Sequence, residues 1–479
     1  MVRRCGALIA ALALAGCATA GPDYAGPPAL SPQAGYGQEA PGHAAPGIGP
    51  EQAWWTLFGS AELDRLVGQA LNNNPTVGVA RATLERAQAR LAAATGQRLP
   101  QADAHARVDH QQVNLSGFGL SDSLGAAGIG NPEFDLFSLG AGVRYDLDLF
   151  GGQRRAIEQA GADAHAQARA LEAAHLLLAG RVVQQVFAIA ALNDRLAVEQ
   201  ALIAEDERNL HLTRARERGG VGTMVDVLSA QAELNADQAA LPIVHQQLAE
   251  GRAVLAALLG ITPAELGPTP QRLANFSLPS PVPVTLPSDL IHKRPDILEA
   301  EARLHGATAA IGVAAARLYP SITLGATIDQ ASTHPDKLLG SSFRGFDLFA
   351  GLTAPLFHGG TLKAARRAAE ADARAAAERY RDVVLSAFAQ VSGLLAALET
   401  DAQALAVRTQ GVTLSERSLH LSRRSFEVGN SGMLQVLDAS RAHQRARLAL
   451  LDAQARRHVN VARLLAATAG GWTGNPPTP

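Results

Sequence analysis

The chain has 479 residues, with 42 Lys and Arg against 44 Asp and Glu, and its formal net charge is −2. A nearly neutral chain without a sustained basic stripe lacks the electrostatic footprint of a nucleic-acid-binding protein, so we predict no nucleic-acid partner. Charged residues make up only 18% of the chain and alanine-rich runs are long, which suits long helices that pack closely together.

Residues 1–16 resemble the signal peptide of a bacterial lipoprotein. Residues 2–4 are a short basic region, and residues 5–15 are apolar but too few to span a bilayer as a helix. The sequence Leu-Ala-Gly-Cys that ends at Cys17 resembles a lipobox, which implies cleavage before Cys17 and lipidation of its thiol. The alternative is an ordinary signal peptide with a chance cysteine. Ala18 favours sorting to the outer membrane, because Asp at this position is typical of lipoproteins retained in the inner membrane.

Three stretches lack the periodicity of helices or strands. Residues 17–50 are rich in Gly, Pro and Ala and are predicted to form an extended, lipid-anchored tether. Residues 261–287 are rich in Pro and form a connection inside the chain, and residues 471–479 are predicted to be a flexible tail.

The chain contains two similar halves. Three segments recur in the same order about 208 to 220 residues later, which indicates an internal duplication rather than a solenoid of short repeats. We therefore divide the chain into a first repeat, residues 51–260, and a second repeat, residues 288–470. The recurring segments begin at Asn74 and Arg294, at Leu149 and Leu356, and at Met224 and Met433.

Two proline-free runs predict very long helices, at residues 153–218 and 361–428. At 1.5 Å per residue, each would be roughly 100 Å long. Apolar residues from Tyr380 to Leu405 are spaced mostly by alternating threes and fours, as in a coiled-coil seam. Shorter helices are predicted at residues 73–98, 223–259, 295–318 and 432–469.

Four segments alternate between apolar and polar residues and are predicted to be strands. Such alternation is typical of a transmembrane barrel with lipid outside and water inside, and a half-buried soluble sheet is the alternative. Asp146 and Asp148 fall on the polar face and are predicted to point into the lumen. Four strands cannot close a barrel in lipid, so several copies of the chain must pool their strands. The segments lie near residues 101–115, 134–149, 320–334 and 342–356.

Enzyme signatures are absent from the sequence, and we predict neither catalysis nor a cofactor. The sequence has no His-Glu-x-x-His, P-loop, Gly-x-Ser-x-Gly or Cys-x-x-Cys motif. Glu172 and His175 have the spacing of a di-iron motif, but a di-iron site needs a second such motif and further carboxylates. We therefore interpret His175 as a solvated helical residue and predict no metal site.

Three segments resemble the TolC-like outer-membrane efflux proteins, and in particular their NodT-type lipoprotein branch. These segments are residues 286–304, which contain Lys-Arg-Pro-Asp-Ile-Leu-Glu-Ala-Glu, residues 310–321, and residues 17–24. The resemblance implies a mainly α fold with a membrane β-barrel portion, in a homotrimer. Its twelve strands would form one barrel in outer-membrane lipid, and its helices would form a long periplasmic barrel. The implied partners are a periplasmic adaptor and an inner-membrane RND pump.

The predicted function is the outer-membrane exit duct of a tripartite RND-type efflux system, which passively conducts drugs or other small molecules. Two alternatives stay open at the level of sequence. One is the outer-membrane duct of a type I protein secretion system, because fold does not determine cargo. The other is a lipid-anchored coiled coil of the envelope that forms no channel.

The two helix-to-helix turns, residues 216–223 and 427–432, are predicted to form the gate and to dock the adaptor. Glycines in these turns permit the positive φ that reverses a helix. By resemblance, Leu434 and Asp438 narrow the pore, and Asp226 is included because it falls in the same region; solvated residues early in a helix are the alternative. The predicted docking residues are Gly219, Gly220, Gly222, Thr223, Gly429, Ser431 and Gly432.

Overall fold

A computed structural model describes residues 19–29, 35–37, 44–46, 53–114, 131–340 and 344–470. Cys17, the leader, half of the predicted tether and the tail at residues 471–479 lie outside the described residues. The chain falls into two compact units. The strand unit takes its residues from 1–27, 85–165 and 302–378, and the helical unit takes its residues from 28–84, 166–301 and 379–479.

The six predicted helices and the four predicted strands occur in the predicted order and deviate from the predicted bounds by a few residues. Two further helices, Ala61–Asn73 and Pro287–Lys293, were not predicted. The helices are α1 (Ala61–Asn73), α2 (Pro75–Gln97), α3 (Gly152–Arg218), α4 (Met224–Leu259), α5 (Pro287–Lys293), α6 (Pro295–Ala316), α7 (Thr361–Glu427) and α8 (Met433–Thr468). The strands are β1 (Ala44–Pro46), β2 (Gln101–Gln112), β3 (Glu133–Leu147), β4 (Val282–Val284), β5 (Ser321–Ser332) and β6 (Arg344–Thr353).

The duplication predicted from the sequence is visible in the helix lengths. Both α3 and α7 have 67 residues, and both α4 and α8 have 36 residues. The turns between the long and shorter helices are also equal in length, so positions from α3 to α4 correspond one to one with positions from α7 to α8. Met224 at the start of α4 is thus the counterpart of Met433 at the start of α8.

The strand unit contains a four-stranded antiparallel sheet in the order β2-β3-β5-β6. The four predicted strands are confirmed. His105, Gly140 and Asp329 lie side by side across β2, β3 and β5, and the His105 Nε2 to Asp329 Oδ1 distance is 3.4 Å. A Cβ at Gly140 would lie 2.0 Å from Asp329 Oδ1 and 2.6 Å from His105 Cε1, so only glycine leaves room for this polar pair.

Apolar side chains of the sheet are exposed in the single chain, which suits strands that meet lipid in an assembled barrel. The exposed fraction is 40% for Leu139, 38% for Leu324 and 80% for Phe346. Phe349, which breaks the polar series of β6, lies over Gly325: a Cβ at Gly325 would come within 2.2 Å of its ring. The aromatic ring therefore fills the space that glycine leaves on the neighbouring strand.

The prediction that Asp148 faces the lumen is wrong. β3 ends at Leu147, and Asp148 instead accepts hydrogen bonds from the backbone N–H groups of Gln153, at 3.0 Å, and Arg154, at 2.9 Å. These N–H groups lie in the first turn of α3 and have no partner within the helix, so the carboxylate satisfies them. The positive end of the helix dipole also stabilises the negative charge of Asp148.

The helical unit has a core built around aromatic rings. Phe187 of α3 packs against Phe58 and Phe276, with ring centroids 4.9 Å and 5.0 Å apart. The predicted seam of α7 is buried from Tyr380, 1% exposed, through Leu398, 3% exposed. Burial of such side chains contributes about 1.5–3 kcal/mol each.

A short belt joins distant parts of the helical unit, and the resemblance to the TolC-like proteins implies a belt of this kind. β1 pairs with β4 in parallel register, from Ala44 opposite Val282 onward. The hydroxyl of Tyr36 donates to the carbonyl of Thr285 at 2.7 Å, and the Thr285 hydroxyl donates to the carbonyl of Thr468 at 2.6 Å. The belt thus ties the N-terminal segment, the connection between the repeats and the end of α8 together.

Within the described residues, α3 and α7 each contain a stretch long and apolar enough to cross a membrane by length and composition. About half of the stretch in α3 and a third of that in α7 is buried in the protein. Core helices have the same property. Because the apolar residues of both helices enter one core cluster of the helical unit, we interpret them as core helices.

Candidate functional site

The first helix-to-helix turn of the helical unit is a glycine-terminated helix end. Gly220 has a φ of 72°, and the N–H of Val221 donates to the carbonyl of Arg216 at 3.0 Å. This bond closes the last turn of α3, and the positive φ lets the chain reverse at little steric cost. The prediction that glycine reverses the helix here is confirmed, whereas the described φ values of Gly219 and Gly222 are not positive.

The same turn ends in a capping box at the start of α4. The Thr223 hydroxyl accepts from the backbone N–H of Asp226 at 3.2 Å, and Asp226 Oδ2 accepts from the backbone N–H of Thr223 at 3.1 Å. The Thr223 hydroxyl also donates to Asp226 Oδ2 at 2.7 Å. Two backbone donors are satisfied reciprocally, so both predicted site residues have a local structural role.

The second turn has the same backbone path. Gly429 has a φ of 81°, and the N–H of Asn430 donates to the carbonyl of Ser425 at 2.8 Å. Gly432 stands at the N-cap of α8 and, lacking a side chain, makes no capping hydrogen bond. Met433, the first residue of α8, is only 2% exposed. Apolar packing therefore holds this helix start in place of a polar cap.

Arg216 and Phe426 link the two turns. The Arg216 guanidinium carbon lies 4.2 Å from the centroid of the Phe426 ring, and Arg216 Nη1 donates to the carbonyl of Phe426 at 3.2 Å. A cation over an aromatic face contributes about 0.5–1 kcal/mol at an exposed site. The link holds the end of α3 against the end of α7.

A cleft of about 410 Å³ lies between the two turns. Its walls carry polar side chains and glycine backbone, and apolar atoms of Val221, Phe426 and Met433 contribute to its surface. It contains most of the predicted docking residues. The cleft is lined by Thr213, Arg216, Val221, Gly222, Asp226, Phe426, Gly429, Asn430, Ser431, Gly432 and Met433.

The predicted gate residues lie on one face of α8, since Leu434 and Asp438 are four positions apart. Leu434 is 55% exposed, and the Asp438 side chain is 78% exposed. Asp438 lies 3.6 Å from Arg441, whose Nε donates to Glu233 of α4 at 2.7 Å. The structure thus brings Asp438 into an ion-pair network with α4 but leaves the Leu434 side chain exposed.

The segment just after Cys17 is held against the strand unit. The guanidinium of Arg155, whose side chain is 5% exposed, pairs with Asp23 and donates to the carbonyl of Ala20 at 3.4 Å and to the Thr19 hydroxyl at 3.4 Å. The N–H of Ala20 donates to the carbonyl of Phe150 at 2.8 Å. We name residues 19–24 the strap.

Glycines make the slot that receives the strap. A Cβ at Gly312 of α6 would lie 2.8 Å from the carbonyl oxygen of Ala20, and a Cβ at Gly151 would lie 2.7 Å from the side chain of Thr19. Tyr24 closes the slot by stacking on His305, with ring centroids 4.5 Å apart and ring planes 12° apart. Any larger side chain at these glycines would push the strap away.

Glu158 completes the strap site. It accepts a hydrogen bond from Arg155 Nη1 at 2.7 Å and contacts His305 Nε2 at 2.9 Å. Burial acts to raise the pKa of Glu158, but the hydrogen bonds from Arg155 and His305 outweigh it and lower the pKa below its usual value. The carboxylate therefore stays charged and fixes the Arg155 guanidinium.

The model of the outer membrane efflux protein family matches residues 66–261 and 286–470. These two blocks cover most of the chain.

The chain belongs to the outer membrane efflux protein family.

A curated relative, the pyoverdine export outer membrane protein OpmQ of Pseudomonas putida, is 32% identical to this efflux protein over 434 residues, which cover 90% of each chain. The probable outer membrane lipoprotein SilC of Salmonella typhimurium is 27% identical over 88% of each chain. The solved structure of the outer-membrane channel OprN superposes with a TM-score of 0.83 at 25% identity and covers 94% of this chain and 99% of OprN.

These similarities confirm the predicted family, the TolC-like fold and the outer-membrane location. The efflux protein is an outer-membrane exit channel. The family is one of ducts rather than of enzymes.

Sequence reasoning missed three functional candidates in this efflux protein. It did not assign Arg155 to the strap, or Asp206 and Asp237 to the interior of the helical unit. A heptad signal marks Asp206, because Glu199, Leu202, Asp206, Leu210 and Thr213 are spaced by threes and fours and are all buried. His175 is half-buried rather than solvated, and burial lowers its pKa.

Proposed function

We propose that this efflux protein is the exit duct of a tripartite RND-type system, in which it receives drugs or other small molecules from a periplasmic adaptor and an inner-membrane pump. The observation that carries the proposal is the pair of reversed helix tips, with the cleft between them and an exposed Leu and Asp directly beyond. No catalytic step is required, because a duct lowers no chemical barrier.

The working form is a homotrimer. One chain supplies four antiparallel strands with exposed apolar residues, and outer β2 and β6 each lack a neighbour on one side among the described strands. Open edges in lipid cost several kcal/mol for each unsatisfied backbone group. Three chains would supply twelve strands, within the size range of membrane barrels.

Cys17 is the lipidated N-terminus of the mature protein. The lipobox-like sequence supports this proposal, and so does the similarity to SilC, which is described as an outer membrane lipoprotein. Mass spectrometry of the membrane-extracted protein should detect an acylated Cys17 peptide. A mature N-terminus at any other residue would contradict the proposal.

Leu434 and Asp438 form the gate. Around a threefold axis each would appear three times, so the leucines would narrow the pore and the carboxylates would repel one another and attract cations. Asp226 is a weaker candidate for the gate, because its carboxylate is engaged in the capping box.

Single-channel conductance in planar bilayers tests both the duct and its gate. The parent protein should conduct, and Leu434→Ala with Asp438→Ala should raise the conductance and weaken block by divalent cations. The matched control is Val225→Ala with Ser229→Ala, at the corresponding positions of α4. If the double variant is trimeric and conducts like the parent, Leu434 and Asp438 do not form the gate. If the parent protein never conducts, the proposal that it is a duct is wrong.

The two turns dock the tip of the adaptor. They combine a cleft, exposed apolar atoms and a glycine backbone that a partner's helix end can approach closely. The proposed contacts are Gly219, Gly220, Gly222, Thr223, Gly429, Ser431 and Gly432. Photocrosslinkers at Thr223 or Ser431 should capture the adaptor, whereas capture from the β1–β4 belt alone would indicate side-on binding.

A further inference from the structure

Two aspartates face each other in the interior of the helical unit. Asp206 of α3 is 2% exposed and Asp237 of α4 is 8% exposed, and their carboxyl groups are close enough to form a hydrogen bond with each other. They lie beside the cluster of Leu210, Val227 and Leu234, which packs α3 against α4 near the first tip.

The hydrogen-bonding inventory of the pair lacks a donor. Gln444 of α8 donates to Asp237 Oδ1 at 3.2 Å. Asp206 Oδ2 and Asp237 Oδ2 are both buried and receive no hydrogen bond from any residue that the structure describes. Two ionised carboxylates can only accept, so the contact between them requires a proton on one of them.

The charges around the pair are mainly negative. Glu199 lies two turns earlier on α3, is 2% exposed and has Arg195 at 3.6 Å. Glu233 lies one turn earlier on α4 and is paired with Arg441 of α8. Arg441 lowers the pKa of Asp206, but this effect is smaller than the opposing effects of burial, Asp237 and Glu233.

The α7 helix also brings a cation to this region, but its closest partner is another acid. Arg423 of α7 forms an ion pair with Glu205 of α3, which also accepts from the Ser440 hydroxyl of α8 at 3.3 Å. No cation of the described chain therefore pairs directly with Asp206 or Asp237.

We propose that Asp206 and Asp237 share one proton at neutral pH, and that loss of this proton to solvent in alkaline medium loosens the packing of α3 against α4 beside the tip. The pair thus makes one half of the channel sensitive to periplasmic pH. Two adjacent buried anions repel each other, and separating the helices admits water to both carboxylates.

Burial, followed by the hydrogen bond that Asp206 donates to Asp237 and the charges of Asp237 and Glu233, raises the pKa of Asp206 to about 8. The proton would therefore leave just above neutral pH.

The loosening would reach the gate through Arg441. This residue bonds Glu233, one turn from Asp237, and lies 3.6 Å from Asp438. This last step rests on the proposed gate. The proton-sharing pair itself does not depend on it.

Infrared spectroscopy of the purified full-length protein tests the pair directly. The parent should show the carbonyl band of a protonated carboxyl group at neutral pH, and the band should disappear as pH rises through about 8. Asp206→Asn should remove that band, because an asparagine amide supplies the missing donor to Asp237 without a titrating proton. Glu207→Gln, an exposed neighbour on α3, is the matched control and should keep the parent's titration.

Hydrogen exchange tests the consequence. After correction for intrinsic rates, amides near Leu210 and Leu234 should lose up to about tenfold of their protection between neutral and alkaline pH, both in the parent and in Glu207→Gln. Asp206→Asn should keep its protection. The proposal is overturned if the parent shows no titrating carboxyl band or if the band persists in Asp206→Asn. It is also overturned if the parent and Asp206→Asn lose protection equally.

These measurements need neither adaptor, pump nor cargo, so their failure is distinguishable from failure of the proposed duct. If Leu434→Ala with Asp438→Ala leaves the conductance unchanged, the proposed gate is wrong, but the carboxyl titration is unaffected. Loss of the titration would likewise leave the conductance result unaffected.

Discussion

The two helix tips share one backbone path but are stabilised by different interactions. Gly220 and Gly429 occupy corresponding positions and both have positive φ, with φ values of 72° and 81°. At the first tip, Thr223 and Asp226 cap α4 through reciprocal hydrogen bonds. At the second, Gly432 provides no side-chain cap, and the helix start is instead packed into an apolar cluster.

Burial reverses between corresponding residues. Met224 is 56% exposed and Leu228 is 62% exposed, whereas their counterparts Met433 and Leu437 are each 2% exposed. The second tip has Phe426 where the first has Glu217, and Phe426 belongs to the same buried apolar cluster as Met433. A duplicated turn can therefore keep its geometry while one copy relies on polar capping and the other on a small core.

The largest difference between the tips should appear on truncating the corresponding methionines. Met433→Ala should lower the free energy of local unfolding of the second tip by about 2–5 kcal/mol, because a buried side chain is removed. Met224→Ala should change the free energy of local unfolding of the first tip by less than about 0.5 kcal/mol, because an exposed side chain makes few contacts. Native-state hydrogen exchange measures both values, and equal losses would show that the two tips are packed alike.

Alkaline pH should weaken the first half and spare the second. The raised pKa of Asp206, about 8, means that the folded protein keeps a proton that the unfolded chain releases at the ordinary pKa of Asp. Its stabilising effect is complete at pH values below the unfolded pKa and is lost as pH rises through about 8. Between the unfolded pKa of Asp and about pH 8, the free energy of unfolding should therefore fall by at most about 1.4 kcal/mol per pH unit.

The corresponding residues of the second half are Ser415 and Ala446, which hold no carboxyl pair. Hydrogen exchange of α3 and α7, followed against pH in one sample, compares the two halves internally. A parallel loss of protection in both halves would indicate a general alkaline effect instead of the Asp206–Asp237 pair.

Removal of the capping box should be milder. Thr223→Ala should destabilise the start of α4 by about 0.5–2 kcal/mol, because the backbone N–H of Asp226 loses its acceptor. Peptide-level hydrogen exchange of residues 224–230 measures this loss. Asp226→Asn, which keeps an acceptor, is the control and should cost less.

The smallest expected effect is a gain at the second tip. Gly432 has an extended backbone, with φ −81° and ψ 164°, and a Cβ there would meet no heavy atom within 4 Å. Gly432→Ser should therefore add a cap and stabilise α8 by a few tenths of a kcal/mol. Exchange of amides 433–437 should slow slightly. Faster exchange would mean that the second tip needs glycine for a reason other than its backbone conformation.

The sequence contained enough information to predict the long elements. The proline-free runs and the alternation of the strands extend over many residues, so their periods are clear and the observed bounds deviate by only a few positions. Asp148 was misassigned because the period-two alternation continues past Leu147, where β3 ends. Its carboxylate instead accepts a hydrogen bond from a backbone N–H at the start of α3.

Contacts between distant residues could not be predicted in the same way. Arg155 reads as one more helical arginine until the strap is placed beside it, since residues 19–24 show no periodicity of their own. The heptad spacing marks Asp206 as an inward position, but it does not indicate that Asp237 is the residue it meets. Only the three-dimensional packing of α3 against α4 brings the two carboxyl groups together.

If Cys17 is lipidated as proposed, the strap would determine the depth of the lipid anchor. Cys17 precedes Thr19 by two residues, so a fully extended chain places it at most about 7 Å away. Thr19 lies against Gly151, at the junction of β3 and α3. Acyl chains on Cys17 would then enter the bilayer at a fixed level of the strand unit, and the inner leaflet could not slide along the channel. The lipid would act as an axial stop for the barrel, in addition to any affinity that it contributes.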